Sequence, residues 1–244
     1  RFDMCGRCAS CQEQIENTRD VLLVADMRLS QRQKLRAAGI TTVEELAVST
    51  GVVEGIVPTT MESLRAQAKA QEITRARPEG SPPYYVVDRP EALDVIPEPS
   101  PGDIFFDFEG DPLYEERGMW NLDYLFGLVD ASGKFAGFWA HDIAQEKEAL
   151  IAFMDYVANK RRSFPEMHIY HYAAYEQTHL LQLAQRHGVM EEEVDDLVRE
   201  HILVNLYPIL KRAIRVGSPS YSLKKIEKIY DPLAHTGDGV LNAA

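Results

Sequence analysis

Two acidic residues interrupt an apolar stretch near the middle of the chain. The segment GDIFFDFEGDP, residues 102–112, has the aromatic and aliphatic run typical of a buried β-strand, yet it contains Asp107 and Glu109. Charged carboxylates are rarely buried unless they are paired or bind a metal ion. Any fold for this chain must therefore offset the desolvation of these two groups.

The spacing of the two acids favours a metal site. Residues i and i+2 of a strand point to the same face, so Asp107 and Glu109 project together. Two ionised carboxylates on one face repel, and their pKa values are pushed apart unless a cation lies between them. Mg²⁺ and Mn²⁺ take oxygen ligands, and two such ions can activate water and stabilise the leaving oxygen of a phosphodiester. The simpler alternative is a surface-facing pair on an edge strand.

A third acid follows another apolar strand. In HIYHYAAYEQTHLLQLAQRHG, residues 168–188, a predicted strand runs into a helix that presents Glu176 in its first turn. A carboxylate is favoured there by the helix dipole. If the two strands are neighbours, Glu176 joins Asp107 and Glu109. We predict these three acids as the metal ligands and catalytic residues.

The overall charge argues against simple electrostatic binding to nucleic acid. The chain has 26 Lys and Arg against 38 Asp and Glu, a formal net charge of −12. Sequence-independent affinity depends on cations that neutralise phosphates, but a local site can differ from the global sum. We predict local contacts through Tyr175, whose ring can stack on an unpaired base, and through Lys224 and Lys225.

Prolines divide the chain into regions. Seven of the thirteen prolines fall within residues 76–101, a density that predicts a linker or an extended crossing segment. The predicted regions are a cysteine-containing tail at 1–20, a small helical module at 21–75, the proline-rich linker at 76–101 and an α/β domain at 102–244.

The only cysteines lie in MCGRCASC, at positions Cys5, Cys8 and Cys11. An odd number at this spacing does not suit a secreted disulfide framework, whereas thiolates two residues apart can converge on one zinc ion or one iron–sulfur cluster. Such sites usually take four ligands. We expect the fourth to lie upstream of Arg1, in a longer protein of which this chain is an internal part, or no metal to bind here.

The helical module has a partial resemblance to a DNA-binding hairpin. The stretch LSQRQKLRAAGITTVEELA, residues 29–47, with an N-cap at Thr41 or Thr42, resembles the second half of a helix-hairpin-helix unit. Such units usually offer backbone N–H groups of a glycine-rich turn to a DNA phosphate. Here the turn falls at ADMR, which has no glycine and contains Asp26. A packing module is therefore favoured over DNA binding.

The region from residue 102 onward alternates strand and helix signals. Three strands, a helix, then a strand and further helices predict an α/β domain with a mixed sheet flanked by helices, preceded by the small all-helical module. The predicted strands are Ile104–Glu109, Tyr124–Asp130, Lys134–Ala140 and Met167–Tyr172, and the predicted helices include Gln145–Lys160 and Tyr175–His187.

Three motifs in this order carry a family resemblance. FFDFEGDP, YHYAAYE and SYSLKKIE together resemble the ribonuclease H-like exonuclease domain of a group of bacterial RecB-like nucleases. The resemblance implies the fold and two-metal mechanism of DEDD 3′–5′ exonucleases, with Asp107 and Glu109 as the first motif. Glu176 stands where the second motif usually has Asp, and Asn205 stands where relatives commonly have Asp. The last acid and the general base are expected downstream of this chain.

The resemblance also implies the layout of a longer protein. In such relatives a PD-(D/E)xK nuclease region ends at the cysteine cluster, and a helicase region often follows. Cys5, Cys8 and Cys11 would then be the last three ligands of a [4Fe–4S] cluster.

Two main hypotheses of function follow. The first is a Mg²⁺- or Mn²⁺-dependent exonuclease domain acting on single-stranded ends of DNA or RNA. The second is a degenerate, non-catalytic module that binds nucleic acid or a partner domain within a larger nuclease–helicase, and a third, weaker one is a metal-cluster sensor. No apolar run approaches 18 residues, so no membrane span is predicted, and the cysteine usage suggests the cytoplasm.

Overall fold

The computed structural model describes residues 8–230 of the 244-residue chain. Of these, residues 8–90 and 211–230 belong to one compact unit, and Glu91–Leu210 form the other. Each unit has a hydrophobic core of its own. Within the described range, every helix is too short or too polar to cross a membrane.

The first unit is mainly helical, as the sequence predicts for residues 21–75. Leu35, Leu46 and Met61 lie in its core. The Thr42 Oγ1 accepts a hydrogen bond from the Glu45 backbone N–H at 3.2 Å, and the Glu45 carboxylate accepts one from the Thr42 N–H at 3.1 Å. This capping box confirms the predicted N-cap. The helices are α1 (Ala9–Asn17), α2 (Leu29–Ala37), α3 (Val43–Val48) and α4 (Pro58–Arg75).

A buried ion pair ties the first turn of this unit to α2. The Arg32 guanidinium donates to both carboxylate oxygens of Asp20, at 2.8 and 2.7 Å. Burial alone would raise the pKa of Asp20, but hydrogen bonds from Arg32 and from the Leu22 N–H outweigh it and lower that pKa below its usual value. The carboxylate therefore stays charged, and its partner is essential to its burial.

A short two-stranded sheet closes the first unit. Strand β1 (Tyr85–Val87) pairs antiparallel with a strand near the other end of the chain, Ile214–Val216. The predicted linker at 76–101 therefore contains a strand as well as turns. The high proline density of this segment did not exclude a strand of three residues.

The second unit contains a five-stranded mixed sheet. Its order is β4-β3-β2-β5-β6; β2, β3 and β4 are antiparallel neighbours, and β5 and β6 run parallel to β2. This confirms the predicted mixed α/β sheet. The strands are β2 (Ile104–Glu116), β3 (Met119–Asp130), β4 (Phe135–Trp139), β5 (Ile169–His171) and β6 (Leu203–Asn205).

From residue 143 onward, the described residues also form five α-helices and one more short strand. They are α5 (Ile143–Ser163), α6 (Tyr175–His187), α7 (Glu191–Arg199), α8 (Leu206–Ala213), β7 (Ile214–Val216) and α9 (Leu223–Ile226). Helix α8 runs across the division between the units, so β7 and α9 belong to the first one.

The central strand β2 has one buried face and one exposed face over residues 104–109. Ile104, Phe106 and Phe108 are buried on one face, where the Phe106 ring stacks on Phe153 of α5 with centroids 4.4 Å apart. Phe105, on the other face, is 51% exposed. The apolar run therefore alternates between core and surface instead of being buried throughout, and the acids belong to its exposed face.

Candidate active site

Three elements of the second unit carry the predicted acids. Asp107 and Glu109 lie on the exposed face of β2, and Glu176 lies in the first turn of α6. Helix α6 follows β5, which is the parallel neighbour of β2. Glu176 is only 3% exposed, so the buried acid of the set is the one on the helix.

Asp107 and Glu176 form the close pair of the site. The pKa of Asp107 is raised to about 6, first by partial desolvation, next by a hydrogen bond with the Glu176 carboxyl and by the charge of Glu176, and then by the charge of Glu109. The sequence predicted that Asp107 and Glu109 project from one strand face and that Glu176 joins them. Residues i and i+2 share a face but are separated by roughly 6.6 Å along a strand, which explains the weaker coupling of Asp107 with Glu109.

A buried histidine contacts the helix acid. His171, the last residue of β5, has its Nδ1 3.1 Å from Glu176 Oε2, and its side chain is 0% exposed. The other ring nitrogen, Nε2, is buried with no hydrogen-bond partner among residues 8–230. His171 thus holds Glu176 from the sheet side.

The turn between β5 and α6 is fixed by Asn205. Ala173 has φ 79°, in the left-handed region that non-glycine residues seldom adopt. Its N–H donates to Asn205 Oδ1 at 3.1 Å, and the same oxygen accepts from the Tyr207 N–H at 3.1 Å. Asn205 therefore acts as a structural acceptor that supports the turn before Glu176.

A second polar cluster adjoins the acids and was missed in the sequence. Asp123 of β3 is fully buried and accepts a hydrogen bond from the Tyr175 hydroxyl at 3.1 Å, while its Oδ2 is 2.7 Å from His179 Nδ1. The Tyr175 ring stacks on His179 with centroids 3.6 Å apart. The only sequence signal was an acid within the apolar run LDYLF. Partial desolvation and the charge of Asp123 raise the pKa of Tyr175.

Gly110 makes room for this cluster. The register of β2 against β3 shifts between Glu109 and Gly110, which turns the following part of the strand toward Asp123. A Cβ atom at Gly110 would lie 2.6 Å from Asp123 Oδ1 and 3.0 Å from the Tyr175 hydroxyl. A side chain at this position would displace one of them.

The donor chemistry fits a divalent cation only in part. Asp107 and Glu176 are hard oxygen donors within hydrogen-bonding reach, and a cation can replace the proton between them. Among the described residues, however, no group of three or more His, Cys, Asp or Glu side chains is arranged to hold a metal ion. Asp107 and Glu176 form a close carboxylate pair, and the three-acid ligand set stays a prediction.

The other predicted site residues are divided between the two units. Tyr175 is 42% exposed beside the acids. Lys224 and Lys225 are exposed on α9, in the first unit. Cys8 is exposed before α1 and Cys11 is half-buried within it, whereas Cys5 falls outside the described residues, so the cluster stays a prediction.

Comparison with protein families identifies the α/β region. A family model of the RNase H superfamily matches residues 104–238, which is more than half of the chain. The chain belongs to the RNase H superfamily. The match begins at the first residue of β2 and includes Asp107, Glu109 and Glu176. No curated protein and no solved structure matched the chain.

Membership in the RNase H superfamily confirms the coarser part of the predicted resemblance. The five-stranded mixed sheet flanked by helices is consistent with an RNase H-like fold. The superfamily supports nuclease-type hydrolysis of nucleic acids, commonly with divalent metals. The RecB-like grouping and the helix-hairpin-helix module stay predictions.

Proposed function

We propose that this chain carries a divalent-metal-dependent nuclease site that hydrolyses phosphodiester bonds at strand ends, in the 3′ to 5′ direction. The observation that supports it best is the Asp107–Glu176 pair beside the central strand, where partial desolvation first and the Glu176 carboxyl next raise the pKa of Asp107 to about 6. The direction and the use of two ions rest on the sequence resemblance alone.

The side chains divide into distinct roles in this proposal. Asp107 and Glu176 hold the cation through carboxylate oxygens, with Glu109 adding negative charge on the same strand face. A bound pair of ions would supply water activation and leaving-oxygen stabilisation. His171 orients Glu176, and the exposed Tyr175 ring offers a base a stacking surface. The acid and the general base that complete the DEDD pattern are expected downstream.

One observation favours a non-catalytic module as the second candidate. Asn205 occupies a position where the resemblance leads us to expect Asp, and its oxygen is committed to the N–H groups of Ala173 and Tyr207. A role of this kind supports the fold without binding metal. In that case the unit would position nucleic acid or a partner domain within a nuclease–helicase.

Calorimetric titration with Mn²⁺ tests the metal site directly. Unchanged protein is compared with Asp107→Asn/Glu109→Gln, with Glu176→Gln, and with Glu191→Gln/Glu192→Gln as a control that removes two charges from the exposed acids of α7. We expect binding in the unchanged and control proteins and loss in the two site variants. Equal binding in all four proteins, or none in any, would favour the non-catalytic module.

The proposed direction has its own assay. Single-stranded DNA and RNA labelled at the 5′ end are incubated with Mn²⁺ and this chain, and in parallel with a longer protein that includes the downstream region. A ladder of products shortened from the 3′ end, absent in the Asp107→Asn variant, is the expected result. Products that appear only from internal cleavage would contradict the exonuclease assignment.

We also infer that the cysteines belong to a cluster in a longer protein, with an upstream nuclease region and a downstream helicase region. Cys5, Cys8 and Cys11 supply three thiolates at CxxCxxC spacing. Iron analysis of anaerobically purified longer protein, with Cys8→Ser as comparison, tests this inference. Colourless, iron-free protein would contradict it.

A further inference from the structure

The first unit contains a pocket of about 290 Å³ that the proposed nuclease site does not use. This volume is near the lower end of the range for ligand pockets, roughly 300 Å³. All of its lining residues belong to the unit formed by residues 8–90 and 211–230. Its polar floor includes Gln67 and Tyr221, and its charged lining consists of Asp26, Asp88, Arg89, Lys211, Arg212 and Arg215.

The pocket is cationic in an acidic protein. Two of its four cations are paired: Lys211 Nζ lies 2.6 Å from Asp26 Oδ1, and Arg215 Nη2 lies 2.7 Å from Asp88 Oδ2. Those pairs use both carboxylates of the lining. Among the described residues, Arg89 and Arg212 make no ion pair with a carboxylate. Two guanidinium charges are therefore left uncompensated, against a chain total of −12.

Arg89 and Arg212 lie just beyond the paired strands β1 and β7. Arg89 follows the last residue of β1 by two positions, and Arg212 lies near the end of α8, two positions before β7 begins at Ile214. The N–H groups of Asp88 and Arg89 both donate to the Ala213 carbonyl, at 2.9 and 3.0 Å, so the two segments stay adjacent at this point. Both arginines therefore border the same pocket, near the point where the strand pair ends.

The turn predicted to have lost phosphate binding lies at the same pocket. Asp26, the acid in ADMR, has φ 66° and faces Lys211. This partly exposed ion pair compensates the charge of Asp26, so it repels an anion less than an isolated carboxylate would. The turn itself has no glycine, and three of the pocket's four cations come from residues 211–215.

We propose that this basic pocket, defined by Arg89, Lys211, Arg212 and Arg215, binds a phosphodiester group of a nucleic-acid strand. The planar guanidinium group matches phosphate oxygens with two parallel hydrogen bonds, which makes arginine well suited to this ligand. Contacts to the backbone carry no base information, so binding is independent of sequence. The pocket is a binding site in addition to the proposed nuclease site, and none of its residues is a proposed metal ligand.

Fluorescence anisotropy of labelled single-stranded DNA and RNA oligonucleotides tests this proposal, with EDTA present so that metal-dependent cleavage cannot occur. The test variant is Arg89→Gln/Arg212→Gln, and the matched control is Lys134→Gln/Arg162→Gln, which removes two exposed cations from the second unit. We expect the Kd of the test variant to rise roughly tenfold, and its plot of log K against log salt to become shallower by roughly 1.4, with the control unchanged.

A conservative variant separates geometry from charge. Arg89→Lys/Arg212→Lys keeps both charges but loses the paired N–H donors of the guanidinium groups. We therefore expect the dependence of log K on log salt to be unchanged and the Kd to rise less than in the glutamine variant. Melting curves without oligonucleotide show whether the variants fold, and we expect the melting temperature of the glutamine variant to equal that of unchanged protein, because both arginines are exposed. Equal Kd values for the unchanged protein and both arginine variants would overturn the proposal.

Two further results would also overturn it. The first is an equal loss of affinity in the control, which would indicate a non-local charge effect. The second is displacement of the oligonucleotide by inorganic phosphate at concentrations near the oligonucleotide Kd, which would indicate a site for free phosphate. A failure of Mn²⁺ binding at Asp107 would count against the nuclease proposal alone, because these measurements contain no divalent metal.

Discussion

Asp107 links the chemistry of the site to pH. Its carboxyl is exposed on β2, yet surrounding protein, Glu176 and Glu109 raise its pKa from 3.8 to about 6. Because Asp107 and Glu176 interact strongly, the proton belongs to the pair more than to either residue. A cation that binds the pair must displace this proton.

Affinity for Mn²⁺ should therefore depend on pH in a defined direction. Above about pH 6 the Asp107–Glu176 pair has lost the shared proton and is ready to bind, whereas below it the proton competes. We expect the Mn²⁺ affinity to be nearly constant from pH 7 to 8 and to fall by roughly tenfold per pH unit below 6. Calorimetric Mn²⁺ titrations across this pH range test this expectation. An affinity that does not change with pH would contradict the assignment of the Asp107–Glu176 pair as the Mn²⁺ site.

The same raised pKa predicts a change in stability for Asp107→Asn. Since the folded protein holds the proton up to about pH 6 and the unfolded chain only to 3.8, the free energy of unfolding falls as pH rises through this window. In Asp107→Asn this carboxyl is absent, so its contribution to the fall in the free energy of unfolding is absent too. We expect it to be more stable than unchanged protein above pH 6, by roughly 1 kcal/mol or less because the side chain is exposed, with the difference vanishing below pH 4.

Thermal unfolding in metal-free buffer measures this difference. Asp111→Asn is the control, because it changes an exposed acid of the same strand. The contrary result is an Asp107→Asn variant that loses stability relative to unchanged protein when the pH rises from 4 to 8. It would show that the ionised Asp107 carboxylate stabilises the fold.

At the scale of elements, the shift in β2 at Gly110 shapes the site. In Gly110→Ala the new Cβ would lie 2.6 Å from Asp123 Oδ1, so the buried carboxylate or the strand must move. Overpacking of this kind destabilises by roughly 1–3 kcal/mol. We expect urea unfolding to show that loss. Gly127→Ala on β3 is the control, because its Cβ would meet its nearest atoms at 3.6 Å, and a loss as large in the control would contradict the explanation.

The sequence predicted regular elements better than the contacts between them. Helix α6 has the predicted bounds, Tyr175–His187, because its apolar period and its Gly188 stop are local signals. The common face of Asp107 and Glu109 likewise follows from strand period alone. The Asp107–Glu176 pairing depends instead on the left-handed turn at Ala173, and no pattern in the sequence marks that conformation.

At the scale of the molecule, the missed feature is the discontinuity of the first unit. The division at Pro90–Glu91 falls inside the predicted proline-rich linker, but the one at Leu210–Lys211 lies within α8 and has no composition signal. Strand β7 is three residues long and pairs with β1, more than 120 positions earlier. Pairing over such a separation leaves no local trace in the sequence.

Gly217 shows how the returning segment is held against the helical unit. Its N–H donates to the Tyr84 carbonyl at 2.7 Å, and an added Cβ would lie 2.1 Å from Thr74 Oγ1 and 2.2 Å from the Ala70 carbonyl oxygen of α4. A backbone oxygen cannot rotate aside as a flexible side chain can. Gly217→Ala must therefore separate the segment after β7 from α4.

We expect this substitution to loosen the first unit and to leave the five-stranded sheet unchanged, since the two hydrophobic cores have no residue in common. Amide hydrogen exchange should become roughly tenfold faster or more in β1, β7 and the C-terminal half of α4, while β2 and β3 keep their protection. Gly110→Ala should instead speed exchange in β2 and β3 and leave the protection of β1, β7 and α4 unchanged. Unchanged exchange in α4 would mean that the last described residues are not needed for its stability, and faster exchange in both units would mean that the protein unfolds as one.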